Sequence, residues 1–335
     1  MEFAFPVLIG DIGGTNARFA VIRDSNSKVE PFDPVSIRSF DTIEDAIQSA
    51  VLDKTSLVPA TMMLAIATPL FGEEFHLTNG DWVIRPHELM SRFNLNAVCL
   101  MNDFAAQALA AIILPKQELD FIGHDNIVDQ APKVVIGPGT GLGIANLVYV
   151  NGIWSILSGE GGHVDLGPRN SREIEIWQYL NRLDGRVSAE LAVSGQGLEN
   201  LYQAICRADG VQTGTKSAAD ISASAIDGAD EKAIEAVNLF LILLARIAGD
   251  MALITLASGG IYIAGGIPQK IQSFVNNKQF RDEFENKAPH RHILEKYAIC
   301  MVTHPNPAMA GLAACVTQPG RFFTAGFIRR FTQKD

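Results

Sequence analysis

The chain has 335 residues, more than a single hydrophobic core usually organises, so two domains are expected. With 47% hydrophobic and 19% charged residues it has the apolar content for large cores and not the composition of a disordered chain. The 37 acidic and 27 basic side chains give a net charge of -10, which argues against nucleic acid or an anionic membrane as the main partner.

In chain order, the opening MEFAFPVLIGD carries Glu2 and no basic segment ahead of its apolar run, unlike a signal peptide. FPVLIGD predicts a buried strand ending in a glycine turn, and ARFAVIRD returns at once as a second strand. Segment 41–54, DTIEDAIQSAVLDK, sets Ile43, Ala46, Ile47, Ala50 and Val51 on one helical face. TMMLAIATP is a buried strand broken by Pro69, AVCLMND is another, and FAAQALAAIIL behind it is a helix. KVVIGPGTGLGIANLVYV repeats the opening pattern of strand, glycine turn and strand, and the domain boundary is expected between the two units, near Pro115. Helices are predicted around 173–183, 196–208 and 229–256, with IYIAGGIP as a further strand and turn. Apolar strands alternating with helical patterns predict an α/β protein.

Stretch 237–257 has the length of a membrane span, but Arg246 and Asp250 near its middle make a buried core helix the expectation. Cys99, Cys206, Cys300 and Cys315 form neither a CxxC pair nor a metal-ligand spacing, which predicts buried reduced thiols and a cytoplasmic location. The basic, aromatic tail GRFFTAGFIRRFTQKD is expected to be a partly docked terminal segment.

GDIGGTNAR (10–18) and GPGTGLG (137–143) are the informative turns. Glycines allow successive N–H groups to converge on a phosphate, and Thr15 and Thr140 can each add a hydroxyl. No Lys-Ser or Lys-Thr pair ends either run, so neither is a P-loop. The residues that follow are strand-like rather than helical, so a dinucleotide-binding turn does not fit either. Phosphate-binding hairpins and ordinary hairpins both remain open on this pattern. Asp11, ending the first strand, either bonds the N–H groups of its own turn or holds Mg²⁺, through water.

Asn102 and Asp103 stand where a strand gives way to a helix, as an N-cap or as reactive groups. SGEGGHVDLGP offers Glu160 and His163 among glycines, and RVSAELAVSG offers Glu190; carboxylates accept strongly from sugar hydroxyls. The spacing of Glu160 and His163 is unlike a helical metal site. The turn AGGIP (264–268) is either a nucleotide contact or a plain strand-to-helix connection.

The two turns, with MNDF, SGEGGHVDLGP, SAELAVSGQGLENLY and IYIAGGIP, resemble the bacterial glucokinase family of the actin-like ATPase superfamily, in order and along nearly the whole chain. They do not resemble the group of sugar kinases and repressors that carries a zinc cluster of one His and several Cys. The resemblance implies a two-domain actin-like (ribonuclease H-like) α/β fold with a cleft between lobes. The small lobe would hold 1–114 plus about 303–317, and the large lobe 115–302. It implies transfer of the γ-phosphoryl group of MgATP to the 6-hydroxyl of glucose, by a homodimer. Asp103 would be the catalytic base, and Asn102, Asp103, Glu160, His163 and Glu190 would hold the sugar. Gly10, Asp11, Gly13, Gly14, Thr15, Asn16, Gly139, Thr140, Gly141, Gly265 and Gly266 would hold the nucleotide, with Mg²⁺ at Asp11. Pro138 lacks an N–H, so contacts in the second turn fall to residues 139–141.

A kinase for another hexose stays open, as does an actin-like ATP switch of the chaperone or filament type. The switch explains the phosphate turns equally well, but not the set Asn102, Asp103, Glu160, His163 and Glu190. A transcriptional repressor is a third reading, against which no helix-turn-helix segment or basic patch precedes Gly10.

Overall fold

A computed structural model describes residues 2–77 and 80–333. The chain divides into one unit of Met1–Leu114, Leu147–Ser158 and His304–Asp335 and another of Pro115–Asn146 and Gly159–Thr303. Segment Leu147–Ser158, which the expected boundaries put in the larger lobe, is therefore grouped with the first unit.

The first unit is built on three strands whose side chains are almost all buried, Val7–Ile12, Thr61–Ile66 and Ala97–Asn102. Unbroken apolar runs of this kind suit a parallel sheet covered on both faces. The sheet order is Arg329–Thr332, Ala97–Asn102, Thr61–Ile66, Val7–Ile12, Asn16–Ile22 and Glu30–Pro31, with Val35–Ser36 also on Asn16–Ile22. Parallel register pairs Asp11 with Ala65 and Ile66 with Asn102. The carboxyl ends of the three strands thus share one edge, beyond which ligands of open α/β sheets bind. Helix Asp103–Ile113 packs on helix Pro307–Thr317. A Cβ on Gly311 would overlap the Ala106 carbonyl, so this close helix approach requires glycine.

The tail is partly docked, as expected: Phe323 is exposed, but part of the tail joins the sheet. Arg329–Thr332 forms an edge strand antiparallel to Ala97–Asn102, with Phe331 buried. Its partner lies more than 200 residues away in sequence, and local periodicity carries no information on such a pairing.

The second unit holds most of a sheet of order Ile153–Gly159, Leu142–Val150, Lys133–Pro138, Ile261–Ile263, Ile299–Val302 and Leu119–Phe121, of which residues Leu147–Ser158 are grouped with the first unit. Its long helix Glu231–Thr255 contains most of the stretch that had the length of a membrane span. Of its most apolar window 72% is buried inside the protein. Arg246 donates to both carboxylate oxygens of Glu173 at 2.7 and 2.8 Å and to Glu283 at 2.8 Å, and Asp250 pairs with Lys287. The charges that argued against lipid are satisfied by partners from two neighbouring helices and, for Asp250, by Lys287 in the segment after one of them.

The helix expected around 173–183 is shorter, Ser171–Trp177. Asp184 and Gly185 adopt φ of 48° and 81°, and Leu183 bridges Arg186, so an Asp-Gly hairpin turn replaces the helix end. Helices Pro86–Phe93, Ala218–Ile226, Asn277–Glu285 and Pro307–Thr317 were not legible in the sequence. Pro307–Thr317 is apolar nearly all round, which erases the helical period.

Candidate active site

In the first unit, strand Val7–Ile12 runs into the turn before Asn16–Ile22, closed by the Gly13 N–H donating to the Asn16 carbonyl at 3.1 Å. A Cβ on Gly10 would stand 2.7 Å from Leu64 Cδ2 and 3.1 Å from Phe19 Cδ1, so a side chain here would have to displace Leu64. Gly13 and Gly14 are half-buried, and Thr15 and Asn16 are exposed. Antiparallel register sets Asp11 opposite Arg18, whose Nη1 lies 3.4 Å from Asp11 Oδ2. Burial pushes the Asp11 carboxyl above its usual range, and Arg18 offsets only part of this. Sequence reasoning missed Arg18, although two-residue strand periodicity across the hairpin places it against Asp11.

Asn102 and Asp103 divide the two roles that the sequence left open between them. Asn102 is the N-cap of helix Asp103–Ile113, its Oδ1 accepting the Phe104 and Ala105 N–H groups at 3.0 and 3.3 Å. Asp103 Oδ1 accepts the Phe104 N–H at 2.8 Å, and among the described residues no hydrogen bond is made to Oδ2. Burial, and then the negative charge of Asp11, raise the Asp103 pKa to about 6, while the Phe104 N–H acts in the opposite sense. A half-buried carboxyl tuned toward neutrality with an open oxygen is suited to accept a proton at neutral pH.

In the second unit, the turn after Lys133–Pro138 is closed by the Gly139 N–H donating to the Gly141 carbonyl at 2.8 Å. Nothing in the protein lies within 4 Å of a Cβ built on Gly139. Glu190 sits on the short helix Ala189–Ala192, and its Oε2 accepts the Leu142 N–H at 2.8 Å. Glu160 and His163 flank a 3₁₀ turn closed by the His163 N–H to the Glu160 carbonyl at 3.0 Å, with side chains 3.9 Å apart and well exposed. Of the glycines between them Gly162 is a packing requirement, because its Cβ would overlap the Leu142 carbonyl, whereas a Cβ on Gly161 would meet Ile144 at 3.2 Å.

The segments bearing His163 and Glu190 are zipped together. The Ala189 N–H donates to the Val164 carbonyl at 2.9 Å and the Leu166 N–H to the Val187 carbonyl at 3.0 Å. Arg186, also missed by the sequence reading, braces this zipper by donating to the His163 carbonyl at 2.9 Å and to Asp165 at 2.7 Å. Thus Glu160, His163, Glu190 and the turn 139–141 gather around the start of one strand, Leu142–Val150.

Strand Ile261–Ile263 pairs with Lys133–Pro138, which brings the third glycine turn beside the second. Gly265 has φ 85° and its Cβ position would overlap the Pro138 carbonyl, so both conformation and space require glycine; Gly266 is open. Thr140 is exposed.

Among the described residues no three His, Cys, Asp or Glu side chains cluster as a metal cage. Mg²⁺ in phosphoryl transfer needs less: one or two carboxylates, waters and substrate phosphates. A half-buried carboxylate at the strand edge, destabilised by its own burial, fits that donor set, and Asp11 is such a group.

A family model described as "Glucokinase" matches residues 8–319. A glucokinase of Chelativorans sp. (strain BNC1) is 46% identical over 318 residues, 95% of this chain and 93% of that one. A crystal structure of glucokinase from an Antarctic psychrotroph shares 32% identity with a TM-score of 0.82, covering 93% of this chain and 99% of that chain. A ROK family glucokinase from Streptomyces griseus, solved in complex with glucose and AMPPNP, shares the fold at 17% identity and a TM-score of 0.61, covering 94% of this chain and 100% of that chain. Identity at this level over nearly the full length, on the actin-like α/β fold of these kinases, places the chain: it belongs to the glucokinase family.

Proposed function

We infer that this ATP-dependent hexose kinase moves the γ-phosphoryl group of ATP directly to the 6-hydroxyl of glucose, with Asp103 as general base. The observation that carries the reading is Asp103 itself. Asn102 caps the helix, which frees the Asp103 Oδ2 at the strand edge, and a pKa near 6 leaves it ionised at neutral pH. Oδ2 orients the attacking hydroxyl and takes its proton as the new O–P bond forms and the bond from γ-phosphorus to the bridging oxygen breaks, ADP leaving with that oxygen. Glu160, His163 and Glu190 accept from and donate to the remaining hydroxyls; the Gly139 and Gly13 N–H groups close their own turns, so those of Thr140 and Gly141, and of Gly14 and Thr15 in the first turn, receive the phosphates. Gly265 and Gly266 lie against the nucleoside side of that turn. Mg²⁺, held at Asp11 through water, would neutralise charge on the phosphates when bound. A homodimer and a cytoplasmic location complete the reading; all four cysteines are buried free thiols.

The actin-like switch retains no support, because the whole-chain relatives are glucokinases. A coupled ADP-release assay with and without glucose tests the reading. ADP release should depend on glucose and match glucose 6-phosphate formation. Equal ADP release without sugar would reinstate the switch, and faster turnover with another hexose would reassign the acceptor.

A further inference from the structure

In the sequence Glu190 has one assigned role, as a sugar ligand. In the structure its carboxylate already serves another segment. Oε2 accepts the Leu142 N–H at 2.8 Å, directly after the second glycine turn, and stands 2.5 Å from where a Cβ on Gly141 would be. A second bond ties the same stretch to the turn, the Gly195 N–H donating to the Gly139 carbonyl at 2.8 Å. Ser194 makes the stretch between them rigid, donating to the Glu190 carbonyl at 2.8 Å and accepting the Gly197 N–H at 2.9 Å. Among the described residues the turn has one internal bond, from Gly139 to Gly141, and open space around Gly139.

We propose that Glu190 is a positioning residue for the nucleotide, its Oε2 fixing the glycine turn that receives the phosphates while its Oε1 is left for a sugar hydroxyl. Among the described residues no hydrogen bond is made to Oε1. The proposal rests on the assignment of this turn to phosphate and of the Glu160–His163–Glu190 face to sugar. One carboxylate then couples the two ligands. A hydroxyl on Oε1 restrains the side chain, which holds Oε2 on the turn, so glucose tightens nucleotide binding and nucleotide tightens glucose binding by the same factor.

Titration calorimetry with the non-hydrolysable analogue AMPPNP in Mg²⁺ buffer, with and without saturating glucose, tests this in wild type, Glu190→Gln, Glu190→Ala and Glu160→Ala. Gln retains one acceptor oxygen for the Leu142 N–H, so Glu190→Gln should bind AMPPNP within about threefold of wild type while losing glucose affinity and the coupling. Glu190→Ala orphans the N–H and should weaken AMPPNP by about tenfold or more even without glucose. Glu160→Ala should lose glucose affinity and keep that for AMPPNP. Should the alanine variant not fold, Glu190→Asp, one methylene too short to reach Leu142, supplies the same comparison. AMPPNP binding to folded Glu190→Ala or Glu190→Asp at wild-type affinity would overturn the proposal with the kinase reading intact. Wild type binding no AMPPNP, or binding it but no glucose, would overturn the underlying assignment and the proposal together.

Discussion

Asp103 commits one carboxylate oxygen to the Phe104 N–H and leaves the other open, and this asymmetry makes the residue testable. Glu160, His163 and Glu190, the proposed sugar contacts, are untouched when Asp103 is replaced by Asn, which lacks the basic oxygen. Asp103→Asn should therefore keep glucose affinity by calorimetry and lose about 10²–10⁴-fold in turnover. Turnover within a fewfold of wild type would dismiss the residue as base. With its pKa at about 6, ionised Asp103 accumulates as pH rises, so wild-type kcat/KM should climb through an acid limb centred near 6. That limb should vanish from the residual activity of the Asn variant. The same shift has a stability consequence of definite sign. The folded pKa lies above the ordinary 3.8, so the stabilising contribution is complete below that value and is lost as pH rises through about 6. At pH 8 the buried charge costs roughly 1–3 kcal/mol, which Asn avoids. Asp103→Asn should thus unfold at higher urea than wild type at pH 8, keep about half of that gain at pH 5 and show little of it near pH 3.5. Equal midpoints at pH 8 would mean that the carboxylate is well solvated.

Turns and helix pairs set where these side chains stand. A side chain on Gly139 meets no protein atom within 4 Å, so Gly139→Val should fold normally and obstruct only a ligand. Its KM for ATP should rise by about tenfold or more while the KM for glucose moves less than about threefold, and an unchanged ATP requirement would remove this turn from the nucleotide site. Gly311 is the opposite case, pressed against the Ala106 carbonyl where helix Pro307–Thr317 crosses helix Asp103–Ile113. Gly311→Ala should separate the helices, lower stability by about 1–3 kcal/mol and reduce turnover, because the displaced helix begins with Asp103. A variant of unchanged denaturation midpoint and turnover would show that this contact relaxes freely. The glycines at 162 and 265 belong with Gly311: they look like ligand-binding residues in a sequence but have backbone reasons of their own.

At the scale of the whole molecule, the second unit buries an ion-pair set that joins three helices through Arg246, Glu173 and Glu283. Glu173→Gln would leave the Arg246 guanidinium, 3% exposed, without its full counter-charge, and should cost about 3–5 kcal/mol by chemical denaturation. A loss below about 1 kcal/mol would mean that Glu283 suffices. Arg246 also marks the limit of what sequence could supply: its charge was enough to read 237–257 as a core helix, but its partners come from segments far along the chain. Buried strands, glycine hairpins and the short clusters around Asn102, Glu160 and Glu190 were legible because their signals are local, in apolar runs, turn chemistry and residue type. The edge strand at the tail, the Arg186 brace, the Asn102 cap that frees Asp103 and the Glu190 bond to Leu142 were not. Each depends on which distant backbone groups come within hydrogen-bond distance, and only the folded chain decides that.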